Sequence, residues 1–142
     1  METIIDQQLS DELQDMFLQN KLWLSDILFY EDEVRFFRNM FDKAFSQALN
    51  DHHLNQVQHI DSEITALKNY LDELKNMVLD HRRLLESLLD KSKETIGLDL
   101  IEENTRIIEK IKELFLSVQT VKAKLVGLVE SAREGNVHLL GE

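Results

Sequence analysis

The chain has 142 residues, enough for one domain with its own core, and its 43% apolar content is too high for a disordered segment. A net charge of -11, with no basic cluster beyond "HRR" at 81–83, argues against nucleic acid or an anionic membrane surface as partner. Cysteine is absent, which removes disulfides, thiol catalysis and thiolate metal sites; proline is absent and glycine occurs four times, which favours helix almost throughout.

The N-terminal "METIIDQQLSDEL" has neither the basic nor the apolar region of a signal peptide, and no uncharged apolar run is long enough to span a bilayer. A cytoplasmic location is the expectation. The first helix is expected over about 10–50, capped by Ser10, with Asp11 and Glu12 at the positive end of its dipole. Leu13, Asn20, Ile27, Val34, Phe41 and Ala48 recur every seven residues, and Met16, Trp23, Tyr30, Phe37 and Ala44 fill the interleaved positions of the seam.

The second helix is expected over about 54–93. Val57, Ile60, Ile64, Leu67, Leu71, Leu74, Val78, His81, Leu85 and Leu88 alternate steps of three and four without a slip. The third, over about 98–134, opens on "DLIE" and is expected to end at a left-handed cap on Gly135. Its seam reads Ile101, Asn104, Ile108, Ile111, Phe115, Val118, Lys122, Leu125, Val129 and Ala132, widened by Ile107, Leu114, Val121 and Leu128. An apolar tail follows at 136–142. Three helices of matched length joined by short turns predict a single all-α domain over 1–142, an elongated up-down-up antiparallel three-helix bundle with coiled-coil-like packing.

Three seam positions are polar: Asn20, His81 and Asn104. Folding the chain at its turns sets Asn20 opposite Leu85 and Asn104 opposite Leu84, so the three fall near one layer, with one residue from each helix. A buried polar group in a seam selects register and orientation at some cost in stability. One imidazole and two amides make a poor transition-metal set.

Signatures of catalysis are missing. No Glu-x-x-His pair, His-Glu-x-x-His helix, phosphate loop, EF-hand or strand–turn–helix nucleophile is present, and no enzymatic activity or cofactor is expected. The bundle end where the first turn meets the third helix gathers His52, His53, His59, Glu130, Glu134 and His138, a weak candidate for a surface zinc site.

A second apolar stripe runs along the first helix. With the seam assigned, Leu22, Phe29 and Phe36 fall seven apart at an outer position, flanked by Leu18 and Met40. Leu79 and Leu116 look isolated, so the other helices promise no comparable stripe. The stripe's acidic surroundings, eight acids against four bases over 10–50, suit a protein surface. The expectation is a non-enzymatic protein that acts by association, a homodimer packed helix 1 against helix 1 and an adaptor for an unidentified protein. The rival readings are a carrier of an apolar ligand in the bundle core and a His/Glu metal-binding bundle.

Overall fold

A computed structural model describes residues 2–48, 54–90 and 97–140, with side chains over 11–45, 55–89 and 97–131. These residues form an all-α bundle of three helices: α1 (Glu2–Ala48), α2 (Leu54–Asp90) and α3 (Leu98–Leu140), with no strand among them. None of the helices is long and apolar enough to cross a membrane.

Two ends differ from the sequence expectation. α1 begins at Glu2, so Ser10 is a helix-interior residue rather than a cap. α3 runs through Gly135 to Leu140, and no described glycine takes a positive φ. A lone glycine weakens a helix by only about 1 kcal/mol, too little to end it when an apolar segment continues beyond. α3 starts where the Gly97 carbonyl accepts from the backbone N–H groups of Leu100 and Ile101, at 3.2 and 3.4 Å. Asp99 then lies in the first turn beside the helix's unpaired N–H groups.

Contacts divide the chain into two compact units: unit 1 takes residues 1–29 and 72–113, unit 2 takes 30–71 and 114–142. In unit 1 Leu13, Leu85 and Leu100 cluster in the core, with Met16, Phe17, Leu88 and Leu89 packed around them. Leu13 meeting Leu85 and Asn20 meeting Val78 make α1 and α2 antiparallel there. Leu85 with Leu100 and His81 with Asn104 do the same for α2 and α3. Unit 2 is built on Val34, Phe37, Phe41, Ile60, Ile64, Leu67, Leu71, Leu114, Val118 and Leu125, all buried. Its flanks are tied by Lys124 to Glu63 (2.6 Å) and by Arg38 to Asp61.

The α2 seam is buried from Val57 to Leu85, with Leu88 half-buried. The α3 face is buried as expected along Asn104, Val118 and Leu125 and along the widening row, but not along Ile101, Phe115 and Lys122. Leu100, Asn104, Ile107, Leu114, Val118, Val121, Leu125 and Leu128 are buried, Ile111 is half-buried, and Ile101, Phe115 and Lys122 are exposed. The row of Asn104, Ile111, Val118 and Leu125 keeps its place, and the buried face turns by about half a residue step, roughly 50°, toward the row of Ile107, Leu114, Val121 and Leu128. The physical reason is Lys122, which the expected seam would have placed in the core, whereas the observed seam keeps a three–four spacing with no charge in it.

Candidate functional site

Two features carry more than packing: a polar layer inside unit 1, and apolar side chains left outside on α1 and α3.

Asn20, His81 and Asn104 are all buried. Asn20 donates from Nδ2 to the main-chain carbonyl of Val78 at 2.9 Å. Asn104 donates from Nδ2 to Gln19 Oε1 at 3.4 Å, which leaves its Oδ1 as an acceptor 3.2 Å from His81 Nε2. His81 therefore carries its proton on Nε2, and Nδ1 is a bare lone pair. The four side chains link all three helices of the unit. The register differs from the expected one: Asn20 meets Val78 and not Leu85, two turns along α2, and Asn104 meets His81 and not Leu84. Gln19 is the member that sequence reading missed, since it lies beside the seam and nothing but its neighbour Asn20 marks it.

Two atoms of the layer, Asn20 Oδ1 and His81 Nδ1, are buried with no hydrogen-bond partner. Burial holds the imidazole below its ordinary pKa of 6.5, against weaker upward pulls from the Asn104 hydrogen bond and the Glu103 charge.

The outer stripe of α1 is exposed where side chains are described. In unit 1 Leu18, Leu22 and Phe29 are 57%, 67% and 60% exposed, and in unit 2 Phe36 is 60% exposed while Met40 is half-buried. The stripe has company on α3, contrary to the sequence expectation. Leu98 and Ile101 in unit 1, and Phe115, Leu116 and Val126 in unit 2, are exposed as well. The hydrogen bond from Asn104 to Gln19 fixes which flank of α1 faces α3 in unit 1. Leu22 stands one turn along that flank from Gln19, and Ile101 one turn from Asn104.

A separate groove of about 410 Å³ opens between α2 and α3 of unit 2, among Ala66, Leu67, Leu116, Ser117 and Thr120. Glu63 stands at its edge, with its Oε1 held at 2.6 Å by Lys124 and at 2.8 Å by His59. Its Oε2 is buried and has no hydrogen-bond partner. The groove belongs to the helix surface, whereas the expected ligand site was in the core.

Of the metal candidates, His52 and His53 lie outside the described residues, as do the side chains of Glu134 and His138. His59 is exposed and paired with Glu63. Among the described residues no group of three or more metal-ligating side chains assembles. The chain matches no family model, no curated protein and no solved structure.

Proposed function

We propose that this is a cytoplasmic, non-enzymatic protein that works by association, and that the apolar outer face of α1 is its docking surface for a second copy. The observation that supports this most is the exposure of Leu22, Phe29 and Phe36, at 67%, 60% and 60%, on a helix that already buries Leu13, Trp23, Ile27, Val34, Phe37 and Phe41 on its inner side. At 60% exposure the two aromatics and their leucine neighbours supply roughly half of the ~800 Å² per partner of a stable contact, as its apolar centre, and the polar rim supplies the rest. A two-fold axis would set the face against itself, and the acids around it would lie at the rim, where charge is tolerated.

Light scattering coupled to gel filtration tests this on the wild type and on a Phe29→Glu/Phe36→Glu variant. A dimeric wild type and a folded, monomeric variant support the reading. A wild type that is monomeric at tens of micromolar sinks it.

The α2–α3 groove of unit 2 favours one second reading, a carrier of a small apolar molecule, since about 410 Å³ lies in the range of ligand sites. Solvent extraction of the purified protein followed by mass spectrometry decides between them.

A further inference from the structure

We propose that the Asn20–His81–Asn104 layer is a proton-operated latch, closed while His81 is a neutral imidazole and opened when the ring is protonated, so that mild acid loosens unit 1 and leaves unit 2 in place. The inference does not depend on the association reading.

The geometry of the closed state is complete on one side of the ring and empty on the other. Nε2 donates to Asn104 Oδ1, and Asn104 in turn donates to Gln19, so this side holds α1, α2 and α3 together through two hydrogen bonds. Nδ1 is buried and has no partner within hydrogen-bond distance. As a lone pair it is a modest defect. Once protonated it becomes a charged donor with nothing to donate to, in a site that also desolvates the charge, and both penalties fall on the closed form alone. Asn20 Oδ1 is the other unpartnered acceptor in the layer, yet no hydrogen bond joins it to Nδ1, and its own amide is fixed on Val78.

Counter-charge is scarce around the ring. From α3 the group that acts on His81 is Glu103, and that carboxylate is already engaged by Arg106 at 2.8 Å. From α1 the layer receives Gln19 and Asn20, which carry no charge. On α2 the sequence neighbours are already engaged, Arg82 by Glu86 and the Phe17 ring and Asp80 by Arg83. An opened unit 1 releases the imidazolium to water, where its ordinary pKa near 6.5 applies. Unit 2 is an internal control, since it has no buried histidine among its described residues.

Hydrogen–deuterium exchange on the full chain at pH 7.5 and pH 5.5, corrected for the intrinsic pH dependence, reads the latch directly. Peptides within 13–29, 78–89 and 100–107 are expected to exchange several-fold faster at pH 5.5, with a ceiling of about tenfold set by an open-state pKa near 6.5. Peptides within 57–67 and 114–128 are expected to change much less. His81→Gln, which keeps a donor toward Asn104 and cannot titrate, removes the acid response, and His81→Leu does so too. An equal acid response in both units, no response, or a response that survives both substitutions overturns the proposal. Because either variant can fold poorly, an NMR titration of the wild-type His81 ring is the independent arm. A ring that titrates at or above 6.5 in the folded protein refutes the latch, and one that titrates below it supports it.

Discussion

Asn20 gives its amide Nδ2 to the main-chain carbonyl of Val78 at 2.9 Å, and that bond marks an α1–α2 register one full heptad away from the one that folding the chain at its turns suggests. A seven-residue shift moves every seam position onto an equivalent one, so a uniformly apolar seam hardly distinguishes the two registers. The polar residues do. In the rejected register Asn20 would lie against Leu85, an aliphatic side chain that offers its amide nothing. In the observed one it meets a carbonyl one turn from His81.

Removing Asn20 is therefore expected to separate stability from specificity. Asn20→Ala loses the hydrogen bond and leaves a cavity, at a cost of about 2 kcal/mol in urea unfolding. Asn20→Leu fills the space and removes the unpartnered Oδ1, so its stability stays within about 1 kcal/mol of wild type or rises. Its amide NMR spectrum is expected to show more than one set of signals, because the competing register is no longer penalised. A single set of signals from Asn20→Leu would show that the apolar packing alone fixes the register.

His81 and Asn104 are expected to behave as a unit. His81→Leu leaves Asn104 Oδ1 buried without its donor, and destabilises by about 1–3 kcal/mol at pH 7.5. A His81→Leu/Asn104→Leu double variant recovers part of that loss, since no acceptor is then stranded. Wild-type stability depends on pH through the same ring. Its folded-state pKa lies below 6.5, so the unfolded chain takes up the proton first. Stability from this group is fully present above about pH 6.5, falls as pH drops toward the lowered folded value, and levels off beneath it. Urea midpoints across pH 5 to 8 check both the sign and its disappearance in the double variant.

Much of the architecture is legible in the sequence because heptad spacing is a local property. The α2 seam is identifiable by its three–four rhythm, and the inner face of α1 by Leu13, Ile27, Val34 and Phe41, all of them buried. The polar members of the layer stand out as breaks in those same rhythms. Their partners do not, because pairing is a long-range property that a periodic pattern leaves degenerate. α3 misleads for a related reason. Ile101, Ile108 and Phe115 lie one position away from Leu100, Ile107 and Leu114, so two adjacent stripes are both apolar and the spacing fits either. Only Lys122, aligned with the first stripe, tells them apart. The same ambiguity hides the exposure of Ile101 and Phe115, which the first stripe places in the core.

The rotated face of α3 makes a sharp contrast between neighbours. Lys122 is exposed and Val121 is buried in unit 2. Lys122→Glu is expected to change stability by less than about 0.5 kcal/mol, as a surface charge change normally does. Val121→Asp places an uncompensated carboxylate in the core and costs more than about 3 kcal/mol. Two thermal melts suffice, and comparable losses in both variants would restore the seam that includes Lys122.

Arg38 is the flank residue of unit 2 with the most to lose. Its guanidinium bonds the Asp61 carboxylate, donates from Nη2 to Thr65 Oγ1 at 2.9 Å, and lies 5.4 Å from the ring centre of Phe41. A lone exposed ion pair contributes little, but one planar group that forks to two side chains on α2 while covering an aromatic on α1 combines several small terms. Arg38→Ala is expected to cost about 1–2 kcal/mol, and Arg38→Lys to recover less than half of it. An ammonium has the charge but neither the fork nor the flat face. Because packing on Phe41 and the Thr65 bond are insensitive to ionic strength, most of the Arg38→Ala loss is expected to persist in 1 M NaCl. A loss that vanishes in salt would reduce Arg38 to a simple surface ion pair with Asp61.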